Sequence, residues 1–274
     1  MWRWIKERKR RKLCALPFPS AWRRTLLENF PLFDCLPAED RRELEGHIQV
    51  FLAEKTFVGC GGLSLTDEIK VTIAAQACLL LLHRQTDYYP GLRSVVVYPT
   101  AYSVPTTHYS DHGVVTETLD SRLGESWQEG AVVLAWDSAA HGATDLGDGQ
   151  NVVLHEFAHQ LDQEDGRADG APILTTNFFR GGAGKYFAWA RVLGAEFERL
   201  QREVSRGSTT LMDAYGAKDP AEFFAVATEC FFEKPEDMSR KHPRLYEQLK
   251  GFYRQDPALW VAPTPHTGIK TAKS

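Results

Sequence analysis

The sequence predicts an α+β fold, mostly helical, with a small sheet packed on one buried helix. Three observations carry this. Apolar residues recur at helical spacing over most of the chain, two β-rich runs at 94–98 and 130–136 interrupt them, and a buried-helix pattern follows at 151–162. With 274 residues, 43% hydrophobic and 25% charged, there is material for a sizeable core in one or two domains. A net charge of −4 gives no general attraction to nucleic acid. The five cysteines, at 14, 35, 60, 78 and 230, are odd in number and lack C-x-x-C spacing. That argues against a disulfide frame and a cysteine metal site, and for a reducing, cytoplasmic location.

Residues 1–12 are strongly basic, and residues 13–16 are too short an apolar run before Pro17 and Pro19 for a signal peptide. Trp2, Trp4 and Ile5 beside the cations suit contact with an anionic membrane surface or nucleic acid. A solvated, flexible arm over 1–20 is the plainer expectation. Residues 21–90 read as a helical N-terminal part. Pro19-Ser20 starts one helix through Trp22, Leu26 and Leu27, and Pro37 starts another with Glu39 and Asp40 in its first turn. Residues 49–57 fit a strand or a helix end, and 59–62 a glycine turn. Leu65-Thr66-Asp67-Glu68 caps a core helix running to His83, too short and polar to span a membrane. His83 is expected to meet the carbonyls at that helix end.

Residues 91–260 hold the chemistry-bearing part. Strands are expected at 94–98 and 130–136, with a weaker one at 114–118. The run 130–136 is the candidate edge strand for an extended substrate, although a fully apolar run also suits the middle of a sheet. Residues 137–149 read as a Gly- and Asp-rich loop, whose His141, like His108 and His112, is expected to face solvent. The acidic turn after 162 could receive a free amino terminus through Glu164 and Asp165. Helices follow at 186–204, from Pro220 to Phe232, where Lys234-Pro235 is a stop signal, and at 242–253; the tail 261–274 reads as loose.

The motif at the centre is His155-Glu156-Phe-Ala-His159. Residues four apart share a helix face, so both imidazoles can reach one metal ion with Glu156 beside it. Neutral imidazoles are good Zn²⁺ ligands, and a carboxylate next to a zinc-activated water is a ready base. A third ligand is needed. Asp219 is a good N-cap and Pro220 a good first residue, which puts Glu222 in the first turn of a largely apolar helix, where a carboxylate wants a cation. Asp162, seven residues after His155, is a candidate for orienting a ligand imidazole.

His155-Glu-Phe-Ala-His-Gln-Leu-Asp162, followed by Tyr215-Gly-x-x-x-Pro220-Ala-Glu222-Phe-Phe-Ala225, resembles the Mlc titration factor A family of bacterial zinc peptidases. The likeness covers roughly residues 79–260, and the family's core is similar to the anthrax lethal factor protease domain. The resemblance implies a zincin-like fold, zinc held by His155, His159 and Glu222, Glu156 as base, and Tyr215 assisting at the oxyanion. It also implies a peptide or protein substrate, with aminopeptidase action among its modes, and a partner like the repressor Mlc. The alternative it leaves is a zinc-binding regulator that works by sequestering that partner. Asp165, Asp213 and Glu229 compete with Glu222 as third ligand. Asp165 lies six residues past His159, but Asp162 stands where related motifs have a turning glycine. Neither Asp213 nor Glu229 matches the family's position.

Overall fold

The protein's structure is a computed structural model that describes residues 2–85, 87–100, 102–109, 115–122, 124–127, 130–174 and 182–260; for residues 2, 3 and 102–127 it describes the backbone alone. In chain order the elements are α1 (Trp2–Cys14), α2 (Ser20–Asn29), α3 (Leu32–Cys35), α4 (Ala38–Glu54), β1 (Thr56–Gly59) and α5 (Asp67–Leu79). Then come β2 (Ser94–Tyr98), β3 (Tyr102–Tyr109), β4 (Val115–Arg122), β5 (Gly124–Trp127) and β6 (Ala131–Ala135). The chain closes with α6 (Trp136–Thr144), α7 (Val152–Asp162), α8 (Ala183–Ser205), α9 (Pro220–Glu233), α10 (Pro235–Lys241) and α11 (Pro243–Tyr253). The fold is α+β and mostly helical. Among the described residues, no helix is long and apolar enough to cross a membrane.

The main sheet has the order β1-β2-β6-β5. β1, β2 and β6 run parallel, and β5 pairs antiparallel to β6 at one edge, with Gly124 opposite Leu134 and Trp127 opposite Ala131. β3 and β4 pair antiparallel as a separate two-stranded sheet. The expected substrate edge strand at 130–136 is therefore corrected: β6 is hydrogen-bonded on both sides, and β5 holds the edge. The reason is its composition, since Val132, Val133, Leu134 and Ala135 are all buried and an interior strand needs apolar residues on both faces. Gly130, at φ +84, enters β6 in a conformation only glycine holds cheaply; a Cβ there would lie 2.8 Å from the Gly91 carbonyl.

Several boundaries differ from the sequence reading. Within the 1–20 segment residues 2–14 form α1, with Arg10 as the anchor: its guanidinium donates to both Glu54 oxygens at 2.8 and 2.7 Å and to Asp87 at 2.6 Å. The uncertain stretch 49–57 is the end of α4 followed by β1. α5 stops at Leu79, and His83, at φ 61, lies beside Asp40 and Glu43 of α4 at 3.2 and 3.3 Å. Its partners are side-chain carboxylates and not helix-end carbonyls. Residues 136–144 are helical despite Gly142, because that glycine lets α6 approach Asn151: a Cβ would stand 3.0 Å from Asn151 Cγ. Pro235 stops α9 and at once opens α10, as a proline at a first helical position can. His112 and the tail 261–274 lie outside the described residues, and for His108 only the backbone is described.

α7 packs against β5 and β6 and against α5, α6 and α9. Val153, Leu154, Phe157, Ala158 and Leu161 supply the contact, each no more than 2% exposed. Phe157 meets the rings of Phe51 and Tyr89 edge-on at 5.7 and 4.9 Å, which ties α7 to α4. One hydrophobic core runs from Leu26 to Tyr253. Gln76, the polar interruption in α5, donates its amide nitrogen to the carbonyls of Thr72 and Ala139 inside it.

Candidate metal centre

Two capped helices build the site. Asn151 caps α7, its Oδ1 accepting from the Leu154 N–H at 2.9 Å, and Asp219 caps α9, its Oδ1 accepting from the Glu222 N–H at 3.0 Å. The caps fix where each helix begins, and thereby where the first-turn Glu222 stands against His155 and His159. The two His Nε2 atoms are 3.2 Å apart, and each lies 3.1 Å from Glu222 Oε2. A tetrahedral ion with bonds of about 2.0–2.1 Å holds its ligand atoms about 3.3–3.4 Å apart, so this triangle fits one. Its donor chemistry fits as well. Two imidazole nitrogens and a carboxylate facing one point leave room for one proton among strong acceptors, and a divalent cation serves all three.

Electrostatics agree. Burial works against a charged His155, yet Glu222 and Glu229 outweigh it and lift the imidazole to about 10. Burial likewise opposes the Glu222 charge, and His155, His159 and Lys218 overcome it, holding the carboxyl well below the usual range. Glu156 is 5% exposed and near enough for its charge to act on His155.

Around the triangle, side chains fix its members. His155 Nδ1 lies 2.7 Å from Glu229 Oε1, while Glu229 Oε2 accepts the Asn151 N–H. Glu229 thus orients His155 with its Nε2 towards His159 and Glu222. It was a competitor for the third ligand; the geometry puts it on the far nitrogen of the ring. The other oxygen of Glu222, Oε1, accepts from the Tyr215 hydroxyl and from Lys218 Nζ, both at 2.9 Å. Burial and the Glu222 charge raise the Tyr215 hydroxyl's pKa, although Lys218 pulls it down, so it stays a donor at neutral pH.

The remaining candidates lie elsewhere. Asp162 is fully buried but accepts from the Gly170 N–H at 2.9 Å, closing the loop after α7. Asp165 is exposed and accepts from the Arg167 N–H. Asp213 accepts from the Tyr215 N–H and from Gln150. His141 is exposed, as expected, and with Asp145 and Asp148 makes the other group among the described residues whose atoms come within ligand range of one another. Lys218 and the Glu229 contact were missed from sequence. Lys218, four residues before Glu222 across a helix start, carried a weak signal.

A family model described as glucose-regulated metallo-peptidase M90 matches residues 3–254. A Synechocystis protein, uncharacterized and designated slr2042, is 38% identical over 257 residues, covering 93% of this chain and 91% of that protein. Mlc titration factor A of Shigella flexneri serotype 5b is 32% identical over 251 residues, 89% of this chain and 87% of that protein. Its counterpart in Escherichia coli O6:K15:H31 matches to the same extent.

Proposed function

The chain belongs to the glucose-regulated metallo-peptidase M90 family, and on that premise we propose that it is a zinc-dependent peptidase, cytoplasmic, of zincin-like fold, with His155, His159 and Glu222 as its metal ligands. The observation that carries the reading is the triangle of two Nε2 atoms and one carboxylate oxygen, 3.1–3.2 Å on a side, with Glu156 beside it. A bound zinc ion supplies Lewis acidity, lowering the pKa of a water towards about 7 and polarising a carbonyl. Glu156 takes the proton of the attacking water and returns it to the leaving amine. Tyr215, already placed as a donor, turns its hydroxyl to the carbonyl oxygen as charge develops there. Lys218 then keeps Glu222 Oε1 paired while Oε2 serves the metal. An extended peptide would lie along β5, which among the described residues ends the main sheet and lies beside α7. Aminopeptidase and internal cleavage both fit such a cleft, and the likeness to the lethal factor protease domain belongs to this same reading.

A second reading rests on the name of the relatives. Mlc titration factor A is named for an action on Mlc, so this chain could bind a repressor of that kind, with or without cleavage. Turnover of a peptide library by the purified protein, lost on chelation and restored by Zn²⁺, supports the peptidase reading. No turnover in the zinc-loaded protein, with a repressor bound stoichiometrically, overturns it in favour of sequestration.

A further inference from the structure

The helix α1 is held by one face only. Arg10, 8% exposed, pairs with Glu54 and Asp87 and stacks over Tyr88 at 4.5 Å, and Lys6 adds a contact to Asp87 at 2.9 Å. The opposite face carries Trp4, 58% exposed, and Ile5, 53% exposed, among the exposed cations Arg8, Lys9, Arg11 and Lys12. Those four cations enter no ion pair among the described residues, and Arg8 lies over the Trp4 ring at 5.5 Å. Residues 3–12 hold seven cations against one acid, in a chain whose net charge is −4. The positive charge is therefore concentrated on this helix, and the rest of the molecule repels anions.

We propose that the outward face of α1 docks the protein on an anionic phospholipid surface, the cations meeting headgroup phosphates while Trp4 and Ile5 enter the interfacial layer. Two features favour a bilayer over nucleic acid. The Arg10 anchor lays the 13-residue helix, about 20 Å long, flat along the body, as interfacial helices lie. A helix that reads a groove must instead project from its protein. The exposed indole and isoleucine also have a place at the headgroup boundary, which a phosphate backbone does not offer. The inference is independent of the metal centre.

The test uses the full chain and sedimentation with vesicles of phosphatidylcholine alone or with about one third phosphatidylglycerol, at low salt and at about 0.5 M salt, with a short DNA duplex as competitor. Binding to anionic vesicles only, weakened by salt, is expected. Each cation near such a surface is worth about fivefold in affinity, so Arg8→Gln with Lys12→Gln should weaken binding on the order of 20-fold. Trp4→Ser should weaken it at unchanged charge, with unchanged helicity by circular dichroism. Equal binding to neutral vesicles, no vesicle binding, displacement from vesicles by the duplex, or no effect of Trp4→Ser would each overturn the proposal.

Discussion

Replacing the Glu156 carboxylate by an amide separates two jobs that a buried acid beside two histidines can hold. Glu156→Gln keeps the shape but accepts no proton, so zinc should stay near one per chain while kcat falls by about 10² or more. Loss of zinc would make Glu156 a ligand instead. Glu222→Ala should lose most bound zinc, whereas Asp165→Ala and Asp213→Ala keep it; Glu229→Gln, which loosens His155, should weaken zinc about 10–100-fold without abolishing it. Zinc per chain at graded free zinc distinguishes the three classes. Asp162 is a pH-dependent case: burial raises its pKa from 3.8 to about 6. A folded pKa above the unfolded one means its contribution is favourable below about pH 4 and is lost as pH rises through about 6. Asp162→Asn, which can still accept the Gly170 N–H, should therefore raise Tm at pH 7, with the gain vanishing near pH 4; a lower Tm at pH 7 would contradict this. The nearness of His155 and His159 was legible because the helix period alone puts residues four apart on one face. Glu229 was not, since its role exists only once α9 packs on α7 and brings residues 74 apart in sequence within 2.7 Å.

Among the elements, those whose signal is local were readable. The cap within 65–68, the Asp219 cap, the valine run of β2 and the apolar run of β6 all read from neighbouring residues. Strand order is different, because it depends on which chain segment reaches the free side of β6; β5, four residues ending in Trp127, has too little pattern to announce an edge. α1 was not legible for a related reason: its composition is that of a solvated arm, and the contacts of Arg10 with Glu54 and Asp87 form only in the folded chain. At the join between α7 and α9, Gly170 lies at φ +74, and a Cβ there would meet the Pro220 carbonyl oxygen at 2.4 Å. Gly170→Ala should push α9 and Glu222 away from α7, destabilising the fold by about 1–3 kcal/mol and weakening zinc binding. Chemical denaturation and zinc titration of this variant check both; wild-type values for the two would remove the coupling between loop and site.

For the molecule as a whole, a metal shared by α7 and α9 is also a clamp on the core they form together. At free zinc about 100 times Kd the ion adds about 2.7 kcal/mol, so chelation should lower Tm by about 5–10 °C. Binding must displace the proton that His155 holds up to about pH 10, so apparent zinc affinity should climb with pH, about tenfold per unit between about pH 6 and 8. An affinity flat over that range would mean the ion sits elsewhere. The most direct test of the centre is an anomalous difference map at the zinc edge from crystals grown with Zn²⁺. The account predicts one strong peak within about 2.0–2.2 Å of His155 Nε2, His159 Nε2 and a Glu222 oxygen. A map with its main peak at His141, Asp145 and Asp148, or with density at the histidines reached by Asp165 or Glu229 in place of Glu222, would contradict it.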